Sequence, residues 1–186
     1  TPPPRAALLP HICLSDEEIR QGQRLLEQLP DKAGTPPIAL HPYATHPDKA
    51  WKEAYWRQLM ELFESRGIPW IVIGRGSCME GIPASRNFTN RTSLRETCAL
   101  LKSSSLLITG DSGPMHLAGA VGTPVLALFG PTTEEWGFFP AGPKDRVLES
   151  QLDCRPCTLH GKKHCDRNHA CMQSITPEQV MRALDE

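Results

Sequence analysis

A chain of 186 residues with 39% apolar and 22% charged residues and a formal net charge of -1 has the size and balance of one globular domain with a single core. That balance excludes a disordered chain, and it excludes bulk attraction to nucleic acid or to an anionic membrane. No run of roughly 18 apolar residues offers a transmembrane helix.

The opening TPPPRAALLP is Pro-rich and reads as a linker. It carries neither an initiator Met nor the apolar run of a secretory leader, so Thr1 is expected to be a cut point or a processed end of a longer protein. Ser15 then opens a helix, with Glu18 three residues on completing a capping box. DKAGTPP (31–37) is a turn, IALH (38–41) a short buried strand, and HPYATHPD a loop rich in Pro and His. AWKEAYWRQLMELFESRG is a strong helix. Trp51, Ala54, Tyr55, Leu59, Leu62 and Phe63 recur at helical spacing, and Gly67 is the stop. PWIVIG ends at Gly74 as a strand, RGSCMEGIPAS is a loop, and residues 87–89 form a candidate short strand. Ser93 and Glu96 cap a second amphipathic helix, and SLLIT, ending at Thr109, is an apolar strand. A small-residue helix starts near Gly113, the strand PVLALFG near Pro124, and the last strand, RVLES, at Arg146. The closing TPEQVMRALDE is a helix with Thr176 as N-cap, Pro177 at its first position and Gln179 as a second capping residue.

Alternating short apolar strands and helices imply an α/β fold, a Rossmann-like three-layer domain with a parallel sheet. The expected organisation is a linker and leading helix over 1–36 and the Rossmann-like domain over 37–186, with a cysteine-rich loop at 151–172. In such sheets ligands bind beyond the carboxyl ends of the strands. GDSGPMHLAGAVGTPVLALFGPT (110–132) occupies that place: a strand ends at Thr109 and its turn feeds a helix. The N–H groups of Ser112, Gly113 and Met115 would point out of the first helical turn and suit a phosphate, with Pro114 presetting that turn. Gly113 would let an anion approach the backbone, and Ser112 would cap the helix or donate to a phosphate oxygen. His116 would face the same anion. The plainer alternative is that Asp111 or Ser112 only caps a helix and His116 packs locally.

Seven cysteines are present, an odd number that suits a reducing compartment better than a disulfide framework. Cys154-x2-Cys157-x7-Cys165-x5-Cys171 has the spacing of a structural tetrathiolate site, for zinc first and iron second, with His160, His164 or His169 able to replace one ligand. Free thiols or two disulfides are the alternatives. A zinc-ribbon nucleic-acid module would need a basic surface that the net charge of -1 does not supply.

DSGPMHLAGAVGTPVLALFGPT resembles the signature of the heptosyltransferases of glycosyltransferase family 9, which move heptose from ADP-heptose to the lipopolysaccharide core. HPYATHPDKAW is similar to that family's Pro-Gly loop and Lys-x-Trp element. NRTSLRETCALLKSSSLLITGDSG is similar to its Gly-Lys-Thr-Ser-Leu helix and following strand, and CRPCTLHGKKHCDRNHACMQSITPEQV to its C-terminal cysteine segment. The likeness runs from Ile38 to Leu184.

The resemblance implies a GT-B arrangement of two Rossmann-like domains. This chain corresponds to the C-terminal, nucleotide-sugar-binding one, and the acceptor site and an Asp general base stand on the N-terminal one. It implies an inverting displacement with no catalytic cofactor and no catalytic residue in this stretch. Its donor-binding residues are Thr45, Lys49, Glu80, Arg91, Asp111, Ser112, Gly113 and His116, with Gly130, Pro131 and Thr132 as the last binding turn. Asp111 would orient the turn or bond a sugar hydroxyl. A cytoplasmic place at the inner face of the inner membrane follows, with peripheral membrane association of the whole enzyme and no nucleic-acid partner.

Three departures stand out: Tyr43 replaces the loop Gly, Asn90-Arg91-Thr92 replaces Gly-Lys-Thr, and Glu80 comes late after its strand. The helix expected after that strand is absent. A binding module without catalysis, a transferase using another nucleotide sugar, or an epimerase with only Asp111 and Glu80 as carboxylates remain as other readings.

Overall fold

The computed structural model describes residues 9–31, 34–160 and 164–185. The opening part of the expected linker, residues 1–8, lies outside that range, as does the Gly161–Lys163 tip of the cysteine-rich loop. Helix α1 (Asp16–Leu26) begins at Ser15, whose side chain accepts from the Glu18 N–H while Glu18 bonds back to the Ser15 N–H at 2.8 Å. The expected capping box is therefore formed, and α1 packs against α3 (Leu94–Lys102), which repeats the device with Ser93 and Glu96.

Five strands make one parallel sheet: β1 (Ile38–His41), β2 (Trp70–Val72), β3 (Leu106–Gly110), β4 (Val125–Phe129) and β5 (Arg146–Glu149). Their order is β2-β1-β3-β4-β5, every neighbouring pair being parallel. Residues 75–92, between β2 and α3, form turns and no helix, and the candidate strand at 87–89 is reduced to one bridge between Asn87 and Val72. The crossover from β2 to β3 therefore runs through a long loop before its one helix, α3.

The period of two in the strands splits the core between the sheet faces. Ile38 and Leu40 join Trp51, Trp56, Leu59 and Phe63 of α2 (Glu53–Arg66) and its approach, with Val180 and Met181 of α6 (Pro177–Asp185). Ala39 faces the other way, with Leu100 and Leu101 of α3 and Met115 and Ala118 of α4 (Gly113–Val121). Fully buried Leu or Phe side chains each contribute about 1.5–3 kcal/mol, so these two layers carry the stability of the sheet. Gly67 ends α2 at φ 64°, and Thr176 and Gln179 cap α6 reciprocally. Three short elements have no counterpart in the sequence pattern: the 3-10 turns Pro47–Lys49 and Glu134–Trp136, and a single helical turn, α5 (Ala170–Gln173), inside the cysteine-rich segment.

Candidate functional site

With the strand order 2-1-3-4-5, the chain reverses direction across the sheet between β1 and β3, and the ligand crevice of such folds opens there, beyond the strand ends. His41 ends β1 and pairs in register with Thr109 of β3. A three-membered polar knot sits at that point. His41 Nδ1 lies 3.0 Å from Thr109 Oγ1 and 3.3 Å from Ser112 Oγ, and the two hydroxyls are 2.9 Å apart. Thr109 gives its proton to the Gly110 carbonyl at 3.1 Å, so it accepts from its two neighbours. Burial lowers the His41 pKa to about 4 and holds the ring neutral at physiological pH.

Two members of the knot, His41 and Ser112, line a cavity of about 530 Å³ together with Tyr43, Thr45, Arg75, Leu94, Gly113 and Leu117 among others, while Thr109 lies buried behind them. The cavity is largely apolar, with one end closed by the start of α4. Ser112 is the N-cap residue of α4 by position but makes no capping bond, because its hydroxyl belongs to the knot. A Cβ on Gly113 would meet nothing within 4 Å, so the first-turn backbone faces open space. The N–H of Met115 is not available as expected: it bonds the Ser112 carbonyl at 3.2 Å. Pro114 sits in the first turn and also lines the cavity.

The other expected residues divide. Thr45 lines the cavity, but Lys49 is committed elsewhere: its Nζ sits 2.7 Å from Asp111 Oδ2, both side chains nearly buried. The pair ties the β1 loop to the β3 turn. His116 is exposed on α4 and outside the cavity lining. Glu80 is not brought to the cleft. Its loop turns over the outer face of α2, where Arg57 donates to the Glu80 carbonyl at 2.8 Å. Arg91 is also displaced, folded back on the carbonyls of Ala84 and Asn87 at 2.8 and 2.9 Å and lying over the Phe88 ring. Both displacements follow from the missing helix: without it, residues 75–92 take their position from local contacts.

Three cleft residues, His41, Arg75 and Leu94, escape a reading of the sequence, and Tyr43 is legible there only as a departure from the family's loop. His41 carries one usable signal, a polar residue closing a buried strand. Arg75 is the one Arg or Lys in the cavity lining among the described residues and comes three residues after the end of β2. Leu94 is 69% exposed, an unusual state for a leucine, and lies at the cavity mouth. Tyr43 fills the place where the Pro-Gly loop would be open. It donates to or accepts from Thr89 at 2.7 Å, and its ring packs on Gly74 and Gly76. A Cβ at Gly74 would come within 2.8 Å of the Tyr43 ring, and its φ of 120° excludes other residues as well. The Tyr43 ring thus takes up the space that side chains at positions 74 and 76 would need.

Cys154, Cys157, Cys165 and Cys171 stand as thiols and line a second cavity, of about 230 Å³, with Asp48, Pro131 and His169. No disulfide joins them. The donor set is soft enough for zinc or iron. However, among the described residues no group of three or more Cys, His, Asp or Glu side chains is gathered so as to hold a metal ion, which corrects the expectation of a formed tetrathiolate knuckle. Burial, with Cys157 and Cys165 nearby, pushes the Cys171 thiol up and keeps it protonated. Cys165 Sγ accepts from the His169 N–H at 3.2 Å. His160, an expected alternative ligand, is outside the cavity lining, whereas His164 is within it.

The loop is held by polar clamps. The nearly buried Arg155 donates to the carbonyls of Gly130, Ser150 and Thr132 and pairs with Glu149 at 2.8 Å. The Cys157 N–H reaches the Pro131 carbonyl at 3.0 Å. Gly130, Pro131 and Thr132, read as a last binding turn, serve here as the anchorage of the loop.

A doubly wound parallel sheet with an open helix N-terminus at its switch point defines the Rossmann-like class of ligand-binding domains. The family profile of glycosyltransferase family 9 (heptosyltransferase) matches residues 10–166, and the chain belongs to that family. It is 35% identical over 153 residues to lipopolysaccharide heptosyltransferase 1 of Pseudomonas aeruginosa, covering 75% of this chain and 40% of that one. The family 9 glycosyltransferase structure from Veillonella parvula superposes with a TM-score of 0.73 at 24% identity, over 94% of this chain and 52% of that one. The iron-containing dodecameric glycosyltransferase TibC of enterotoxigenic Escherichia coli gives 0.65 at 24% identity, over 84% and 46%. TibC has also been solved in complex with ADP-D-β-D-heptose. The chain therefore spans about half the length of the proteins it matches. No helix among the described residues is long and apolar enough to cross a membrane.

Proposed function

We propose that this chain is the donor-binding half of an inverting glycosyltransferase that transfers heptose from ADP-heptose to the lipopolysaccharide core. The observation that carries the reading is the cavity at the β1/β3 switch point, lined by the open backbone of Gly113, by Ser112 and by the neutral His41 ring. The pyrophosphate lies against the start of α4, where the helix dipole and first-turn N–H groups favour an anion without a metal. Arg75 supplies the cationic side chain, in place of Arg91. The base lies along the apolar wall of Leu94 and Leu117, with Tyr43 closing the far side. Lys49, held by Asp111, stands beside the sugar end and carries its charge as part of that pair.

In the reaction the acceptor hydroxyl gives its proton to a carboxylate base on the N-terminal domain and forms a bond to the anomeric carbon. The bond from that carbon to the phosphate oxygen breaks, and its electron pair leaves with ADP. Negative charge grows on the leaving phosphate, so a preorganised helix N-terminus stabilises the transition state more than the ground state. This half alone binds the donor without turning it over. A cytoplasmic site and peripheral membrane association belong to the same reading.

Calorimetric titration with ADP, UDP and GDP tests the donor reading. ADP is expected to bind most tightly. Replacing Gly113 by Ala should weaken it about tenfold by blocking the anion's approach, a loss of about 1.4 kcal/mol. A preference for UDP or GDP would reject ADP-heptose as the donor. No binding of any diphosphate would reject a formed donor site in this half.

A further inference from the structure

Outside the cleft, one side-chain chain connects the cysteine segment to the donor loop. His169 Nε2 lies 2.7 Å from Asp48 Oδ1, across 121 residues of sequence. Asp48 is buried, and it belongs to the 3-10 turn Pro47–Lys49, whose last residue makes the 2.7 Å pair with Asp111. Its second oxygen, Oδ2, has no hydrogen-bond partner among the described residues. His46 Nδ1 is 3.3 Å from Oδ2 but already accepts the Asp48 N–H, so it has no proton there to give. The carboxylate is therefore oriented by a single bond, the one from His169. At the other end, His169 is itself fixed: its N–H bonds Cys165 Sγ, and it stands at φ 55°, following Asn168 at φ 47°. A non-glycine residue is held in that region only where its surroundings over-determine it.

The entry to α2 and its first turn repeat the attachment. The Trp51 indole N–H donates to the Ile175 carbonyl at 2.8 Å, Lys52 Nζ to Gln173 Oε1 at 2.9 Å, and the Tyr55 hydroxyl to the Gln173 carbonyl at 3.2 Å. Together with Arg155 on Gly130 and Thr132, these bonds make the cysteine segment a bridge across the carboxyl edge of the sheet, from the β1 loop to the β4 turn.

We propose that His169 is a positioning residue of the donor site: through Asp48 it sets the 46–50 turn, and so places Lys49 against Asp111. The part concerning ligand affinity rests on the donor reading above; the positioning of the turn does not. Backbone amide exchange separates the two. The Lys49 and Ala50 N–H groups bond the carbonyls of His46 and Pro47, both at 3.0 Å, and report the order of the turn. In His169→Ala these two amides should exchange about tenfold faster, with the protection of β1 and β3 retained. Asp48→Ala, which removes the acceptor, should do the same, and combining it with His169→Ala should add little, because both break one bond. His169→Gln, which can still donate to Asp48, should restore most of the protection. Tyr55→Phe, which removes the hydroxyl bond to the Gln173 carbonyl, should leave Lys49 and Ala50 unchanged.

ADP affinity should fall about fivefold in His169→Ala and no further when Lys49→Ala is already present, a non-additivity that a general loss of stability would not produce. Unchanged exchange at Lys49 and Ala50 in both His169→Ala and Asp48→Ala overturns the proposal. So does an equal loss of ADP affinity with and without Lys49. If His169→Ala also loses the protection of the sheet, Asp48→Ala alone decides by the same two amides. If the unaltered chain binds no ADP, the donor reading fails by itself, and the exchange result still decides whether His169 holds the turn.

Discussion

The cleft and the cysteine segment are held together by different physics. The cleft stands on strand ends: His41 and Thr109 are placed by sheet register, and Gly113 by the start of a helix packed on the core. The cysteine segment contains one four-residue helical turn and depends on a few long-range polar clamps, Arg155 and His169 foremost. A site on strand ends keeps its geometry as long as the core does. A segment held by clamps loses it when one clamp is cut.

The largest expected effect is therefore at Arg155. Arg155→Ala leaves three carbonyls and Glu149 without their donor, and should lower stability by about 3–4 kcal/mol in urea unfolding. A loss below about 1 kcal/mol would mean the loop has other anchors. Next comes pH. His41 binds its proton near pH 6.5 when unfolded and only at about 4 when folded. Between those values the unfolded state holds more protons, so stability is full above about 6.5 and falls as pH drops towards 4. The loss is about 3 kcal/mol in total. His41→Asn should flatten that part of the stability–pH curve; an unchanged slope would show that other groups cause it.

The local features of the cleft side are legible in the sequence. Capping boxes at Ser15 and Ser93, short apolar strands and the turn before Gly113 all arise from contacts a few residues apart, and the fold has them in place. Glu80 and Arg91 lie away from their expected places because the family pattern assumes a helix that residues 75–92 do not form, and their positions come instead from Arg57 and Phe88. The role of Lys49 differs from expectation because its partner, Asp111, lies 62 residues away. The His169–Asp48 bond is illegible in the sequence for the same reason. The cysteine spacing is plain there, and so is the chemistry of four thiols; which backbone carbonyls hold the loop is not.

Two smaller effects sharpen the contrast. Gly113→Ala should change stability by less than about 0.5 kcal/mol, since the added methyl meets open space, while it weakens diphosphate binding about tenfold. Equal losses in both would make Gly113 a structural residue. Ser93→Ala removes one cap of α3 and should lower stability by about 1 kcal/mol without moving the cysteine segment, read by its amide exchange.

The most direct test of the central claim is a residue-resolved NMR titration of this chain with ADP. The account predicts shifts at the Ser112 and Gly113 amides and at Thr45, Arg75 and Leu94, with the amides of Cys154 and Cys157 unmoved. Shifts centred on the cysteine cavity, with Ser112 and Gly113 still, would contradict it.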